Sequence, residues 1–183
     1  MCNQYQDLKK FRVPTDFRGR NKFIVQLWWI VQKTLFKNSP RFANSYRVGL
    51  LRLFGAKIED GVLLRPSVTV TYPWKIKIGK DSWIGENVTL YSLGNISIGN
   101  NVVISQNTYI CGGYHDYKSK NFEIVSSDIQ ISDEVWIATD VYISPGVSIG
   151  KGSVIGARSS VFSDINENLI CYGSPCKPIK KRI

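Results

Sequence analysis

From residue 58 onward an aliphatic side chain recurs every six positions, and few folds accept that period. Ile58, Leu64 and Val70 form one set, Ile78, Ile84 and Leu90 the next, then Ile98, Ile104 and Ile110. After a gap come Ile131, Ile137, Ile143, Ile149, Ile155 and Val161, so all fifteen positions are Ile, Leu or Val. Four residues further on stand small or β-branched residues: Val62, Val68, Ser82, Val88, Val102, Thr108, Val135, Val141, Val147 and Ser153. A helix of about 3.6 residues per turn cannot keep such a stripe on one side, and an open sheet alternates every two residues. The period fits a parallel β-helix. Each hexad makes one flat side, three hexads make a triangular coil, and one aliphatic per hexad stacks on its equivalent in the next coil. Gly, Asn and Asp supply the left-handed backbone angles that the corners require.

The repeat is interrupted three times. Val70 to Ile78 and Leu90 to Ile98 are eight residues each, and Ile110 to Ile131 is twenty-one. Every interruption follows a third hexad, so all three emerge at one corner in successive coils. The longest, roughly 112–128, is a true loop and holds the single His of the chain. Loops mounted on a rigid scaffold are where function usually sits. Periodicity alone also admits a non-catalytic β-helix serving as a scaffold or membrane-docking module.

Upstream, residues 1–57 read as a basic helical segment capping a β-helix domain of residues 58–183. A helix over 21–37 carries Phe23, Leu27, Trp28, Ile30, Val31 and Leu35 on an apolar face. Pro40 interrupts it, and 42–54 reads as a second helix with Tyr46, Val48, Leu50, Leu51 and Leu53, stopped by Gly55. The expected arrangement puts aromatics inward and Lys/Arg outward. Of the 24 basic and 14 acidic residues, twelve and two fall in 1–57, so the whole net charge of +10 is N-terminal. A local excess argues for docking, on anionic membrane or not at all, and no nucleic-acid motif accompanies it. The tail beyond 176 is a second, smaller basic cluster. Cys2, Cys111, Cys171 and Cys176 show neither metal nor disulfide spacing, which predicts a reduced, cytoplasmic chain. No signal peptide is evident, and the apolar run 23–31 is far short of the ~20 residues a spanning helix needs. Contact with a membrane would be peripheral, on the inner face.

Residues 58–183, including Ile143-Ser-Pro-Gly-Val-Ser-Ile-Gly-Lys-Gly-Ser-Val-Ile-Gly-Ala and Tyr172-Gly-Ser-Pro-Cys-Lys-Pro-Ile-Lys-Lys, resemble the hexapeptide-repeat acyltransferases. The narrower resemblance is to colanic acid biosynthesis O-acetyltransferases, and more distantly to maltose/galactoside O-acetyltransferases. It extends through Phe17-Arg-Gly, Val25-Gln-Leu-Trp-Trp, Leu50-Leu-Arg-Leu-Phe-Gly-Ala-Lys-Ile and Pro66-Ser-Val-Thr-Val-Thr-Tyr-Pro-Trp-Lys, nearly the whole chain. It implies a mainly β fold, a left-handed parallel β-helix of about five coils with an α-helical N-terminal cap. It further implies a homotrimer with active sites between subunits, and acetyl-CoA as donor to a saccharide hydroxyl. Related acceptors would be an amino sugar or a small xenobiotic alcohol.

Acyl transfer from a thioester to a hydroxyl needs a base near neutrality, and imidazole is suited to it. His115, in Gly112-Gly-Tyr-His-Asp-Tyr, lies where the family carries its catalytic His, and direct transfer with no acyl-enzyme follows. Asp116 is a candidate to orient the ring, as is a backbone carbonyl. By resemblance, the Thr139 backbone N–H serves the oxyanion, and Asn87 contacts the acceptor unless it is only a corner residue. Ala157 matches the pantetheine-contacting backbone, and Lys177 and Lys180 match the phosphate contacts. Where maltose-type enzymes have Thr-Lys this chain has Phe162-Ser163, so Arg158 is the candidate to replace the missing cation. Zinc-dependent carbonic anhydrases of the same repeat class use three His, which one His cannot supply, and no metal is expected.

Overall fold

A computed structural model describes residues 4–183. Three parallel sheets form the sides of a triangular prism. The first face stacks Lys57–Ile58, Ile76–Ile78, Ile96–Ile98, Ile129–Ile131 and Ser148–Ile149. The third stacks Thr69–Val70, Thr89–Tyr91, Tyr109–Cys111, Tyr142–Ile143 and Ser160–Val161. The second runs from Leu63–Leu64 through Trp83–Ile84, Val103–Ile104, Trp136–Ile137 and Val154–Ile155 to Leu169–Tyr172, with Lys177–Lys181 folding back antiparallel at its edge. Register is set by the hexad, each inward aliphatic pairing with its counterpart, as Ile84 with Ile104 and Ile104 with Ile137.

All fifteen predicted inward aliphatics are buried, and so are the ten small or β-branched residues between them. Buried hydroxyls in that second set are satisfied: Ser82 donates to the Gly99 carbonyl and Thr108 to that of Ala138. Five coils are complete, and a partial sixth follows. Ile165 bridges to Ile149, and Cys171 occupies the inward place above Ile155. Burial pushes the Cys171 thiol up to about 11.

Corners follow from backbone angles. Between the first and second faces Asp81, Asn101, Glu134 and Asn168 take positive φ; between the second and third Asn87, Asn107, Asp140 and Arg158 do. At the third corner the three insertions lie on one another, as expected: Tyr72 N–H donates to Ser92 Oγ and Gly94 N–H to the Gly112 carbonyl.

A β-helix begins with an open edge, and side chains from the two helices close it on every face. These are α1 (Lys22–Val31), extended by a π-turn over Gln32–Phe36, and α2 (Asn44–Leu53). Arg52 donates to the Ile58 carbonyl on the first face. Asn44 takes the Leu64 N–H and donates to the Val62 carbonyl on the second, where Arg47 also donates to the Leu64 carbonyl. On the third, Gln32 accepts from Val70 N–H and Trp28 Nε1 donates to its carbonyl.

The helices turn a different side to the core than their composition suggests. Val25, Trp28, Gln32 and Phe36 face inward, as do Arg47, Val48 and Leu51, whereas Phe23, Leu27, Ile30, Leu35, Tyr46 and Leu53 are exposed. The expected rule of aromatics in and cations out therefore fails at both ends. The edge carbonyls are strong acceptors that only donor side chains can meet, so Arg47 is 1% exposed. It is held by the Leu64, Pro40 and Arg41 carbonyls and Ser39 Oγ. Desolvation, with Arg65 adding to it and Glu86 opposing, lowers its pKa.

Candidate active site

The long insertion is not an irregular loop. Gly113–His115 pairs antiparallel with Ile124–Ser126, His115 opposite Ile124. The hairpin leaves the third corner tightly: a Cβ on Gly113 would lie 2.7 Å from the Val125 carbonyl oxygen and 2.9 Å from Leu93 Cβ. Only glycine permits that approach.

His115 Nδ1 lies 2.9 Å from the Phe122 carbonyl oxygen. A carbonyl only accepts, so Nδ1 carries the proton and Nε2 keeps its lone pair. The ring stacks on that of Phe122 at 4.3 Å and 6°, and Phe11 tilts against it at 5.5 Å. Phe122 itself holds φ +51, a strained angle for an aromatic residue. Asp116 does not orient the imidazole: its Oδ1 accepts from the Lys118 N–H, which caps the turn at the hairpin tip. Of the two candidates the backbone carbonyl takes that role, because the hairpin register points Asp116 into its own loop.

The other candidates lie at the second corner. Thr139 and Ala157 are stacked there in consecutive coils, and neither N–H has a hydrogen-bond partner among the described residues. The same is true of Glu86 and Gln106 in the coils before them, so a row of unpaired amides runs along the axis. Arg158 sits at φ +55 and pairs with Asp140 at 3.5 Å, both well exposed. Lys177 and Lys180 lie on the returning strand at the top of the second face, Lys177 opposite Tyr172 and Lys180 opposite Ile170.

Asn87 is a corner residue with φ +57 whose side chain donates to Asn107 Oδ1. It also lines a cleft of about 490 Å³ on the second face, with Arg41, Arg65, Trp83, Glu86 and Ser105. Glu86 bonds Ser67 Oγ and pairs with Arg41 at 3.0 Å, and the Ser67 hydroxyl leads these contacts in lowering its carboxyl pKa. Trp83 presents an exposed ring to the cleft.

Within one chain these groups are not together. His115 stands at the third corner, and Asn87, Thr139, Ala157 and Arg158 at the second. One side of the prism separates them, some five residues of extended chain or about 15 Å.

Three contributions were invisible to sequence reasoning. Phe11 and Phe122 meet His115 by long-range contact, with no spacing signal. An aromatic ladder, Tyr91, Tyr109, Tyr142 and Phe162, covers the outside of the third face beside the hairpin, with centroids 5.9, 6.2 and 5.9 Å apart. Only Tyr109 and Tyr142 share a hexad position; Tyr91 and Phe162 stand two residues later in theirs, so the repeat does not mark the ladder as a row. Burial raises the Tyr109 and Tyr142 hydroxyls to about 12, with the nearby Cys111 thiol reinforcing it.

Two family models match the chain: bacterial transferase hexapeptide (six repeats) over residues 128–163, and hexapeptide repeat of succinyl-transferase over 75–111. WcaF of Escherichia coli (strain K12), named as a colanic acid biosynthesis acetyltransferase, is 51% identical over 178 residues, covering 97% of this chain and 98% of that protein. Among solved structures, a galactoside acetyltransferase in complex with coenzyme A has a TM-score of 0.82 at 29% identity, covering 93% of this chain and 84% of that one. A maltose O-acetyltransferase from Clostridium difficile 630 has a TM-score of 0.76 at 30% identity, covering 88% and 89%.

Proposed function

The chain belongs to the hexapeptide-repeat acetyltransferases, and we propose that it transfers acetyl from acetyl-CoA to a sugar hydroxyl in surface-polysaccharide biosynthesis. The observation that carries this reading is the His115 imidazole, fixed with Nδ1 on the Phe122 carbonyl and Nε2 left as base. Likeness to the colanic acid acetyltransferase over almost the full length favours a polysaccharide acceptor.

In the proposed reaction Nε2 takes the proton of the acceptor hydroxyl as its oxygen attacks the thioester carbonyl. The tetrahedral oxyanion accepts from the Thr139 N–H. Its collapse breaks the C–S bond, and the imidazolium returns the proton to the departing thiolate, giving an acetyl ester and coenzyme A. No acyl-enzyme forms. The row of unpaired amides at the second corner suits the pantetheine arm, whose own amide carbonyls need donors and whose length runs along the axis. The exposed Arg158–Asp140 pair is worth little to stability, so Arg158 is free to meet a coenzyme phosphate beside Lys177 and Lys180. The Asn87 cleft, with its exposed indole and Arg/Glu pairs, suits a sugar acceptor, since the indole can stack on the C–H face of the ring and the charged side chains can hydrogen-bond its neutral hydroxyls.

One chain keeps base and oxyanion donor at separate corners, so the reading requires a neighbouring subunit, and a homotrimer closes such an arrangement. Purified protein with acetyl-CoA and oligosaccharide acceptors, followed by thiol release, tests the activity. His115→Ala should lose about 10²–10⁴ in kcat; transfer at the wild-type rate would overturn the base assignment. A solution mass of one subunit would overturn the shared site.

A further inference from the structure

The cap has a second apolar face that no other element covers among the described residues. Phe23, Leu27 and Ile30 recur at spacings of four and three, so they form one stripe along α1. That stripe lies opposite the buried residues Val25, Trp28, Gln32 and Phe36. The three are 76%, 42% and 59% exposed. The stripe continues sideways onto α2: Leu27 and Ile24 share a groove of about 340 Å³ with Leu53, itself 79% exposed, and with Arg20. A surface helix ordinarily has one apolar face, and here the core has taken another.

The helical segment itself carries charge of one sign, although Asp16 shares a pocket with Arg20 and Asp60 pairs with Arg52. Residues 17–57 contain nine Lys and Arg and no acidic residue. Arg47 is buried, and Arg41 and Arg52 are paired with Glu86 and Asp60. Arg20, Lys22, Lys33, Lys37 and Lys57 are exposed and make no ion pair among the described residues. Lys22, Lys33 and Lys37, with Gln26, fall along one flank of the stripe by helical spacing.

From these observations we infer that the outward face of α1, with Leu53, docks the base of the β-helix on an anionic phospholipid surface. The cations would meet lipid phosphates while Phe23, Leu27 and Ile30 enter the boundary below them. A nucleic-acid backbone would satisfy the cations alone and leave the apolar stripe in water. No helix of the described residues is long and apolar enough to cross a membrane, so the contact lies in the interface plane. The helices close the first-coil edge of the prism, so docking there leaves the His115 hairpin and the second corner on its flanks, with the Asn87 cleft beside the cap at Arg41.

Co-sedimentation of the full chain with vesicles tests this, comparing pure phosphatidylcholine with phosphatidylcholine containing phosphatidylglycerol. The protein should pellet only with the anionic vesicles, and less as ionic strength rises. Lys22→Gln, Lys33→Gln and Lys37→Gln combined should weaken partitioning by on the order of a hundredfold. Phe23→Gln, Leu27→Gln and Ile30→Gln combined should weaken it at least tenfold, with an unchanged melting temperature that shows the fold intact. Wild-type protein left in the supernatant with anionic vesicles would overturn the inference. So would an apolar triple variant that binds like wild type, or one whose solution mass falls, since the face would then be covered by a second copy.

Discussion

Replacing Phe122 by Gly separates positioning from stability at the proposed base. Three contacts act on the His115 ring: the carbonyl of residue 122, which any substitution keeps, Phe11 at 5.5 Å, which also stays, and the stacked ring at 4.3 Å, which Gly removes. An aromatic pair of this kind is worth about 0.5–1.5 kcal/mol beyond its buried area. Spread over the imidazole orientations then released, that lowers the productive fraction by about 2- to 12-fold. Stability should hardly follow. The positive φ of residue 122 costs a non-glycine residue about 1–2 kcal/mol, and Gly relieves it, while the ring it discards is only half buried. The two effects nearly cancel, leaving the melting temperature within about 3 °C of wild type. Steady-state kinetics should show kcat falling with the KM for acetyl-CoA unmoved, because the substitution touches only the base. Phe122→Asn, which tolerates the left-handed region, should behave alike. An unchanged kcat, or a raised KM at constant kcat, would refute the reasoning.

Arg47→Ala strands four acceptors at the capped edge and should cost about 3–5 kcal/mol, roughly 10 °C in thermal unfolding; a shift of a degree or two would show that other contacts hold the cap. Ile137→Ala, in the middle of the stack, should cost about 2–5 kcal/mol by urea unfolding with catalysis otherwise intact. Glu86 has its carboxyl pKa lowered, so its contribution is present above the unfolded value and is lost as pH falls through the folded one; Ser67→Ala should move the acid-unfolding midpoint upward. Tyr109 and Tyr142 are raised to about 12, so the stability they lend is full below the ordinary tyrosine value and is lost as pH rises from there toward 12. Tyrosinate absorbance should accordingly show these two titrating late, with Tyr72 and Tyr91 also raised by burial.

The hexad made the interior legible because a stacked coil reuses one residue type at one phase: each of the fifteen phased aliphatics from Ile58 to Val161 points inward, and the three insertions share a corner. Legibility stopped where the phase did. Ile165 follows Val161 by four residues and Cys171 is not aliphatic, so the partial sixth coil carries no visible signal. The helical cap misled for a different reason. Hydrophobicity marks two faces of α1, and which one faces the core depends on Trp28 and Gln32 meeting Val70, 42 and 38 residues away. At the candidate site, the long insertion together with the family resemblance pointed to His115. The partner of its Nδ1 is a main-chain oxygen, and main-chain atoms leave no trace in residue identity.

The side chains that close the first coil have a consequence for assembly. A coil is a template for the next, and nothing in the repeat itself says where stacking should begin. Arg52, Asn44, Arg47, Gln32 and Trp28 occupy the bonds another coil would make, so they act as a chain terminator written in side chains. Stripped of them, the bottom of one prism becomes a landing site for extended segments of another, and head-on growth into filaments becomes the competing fate of the folded protein.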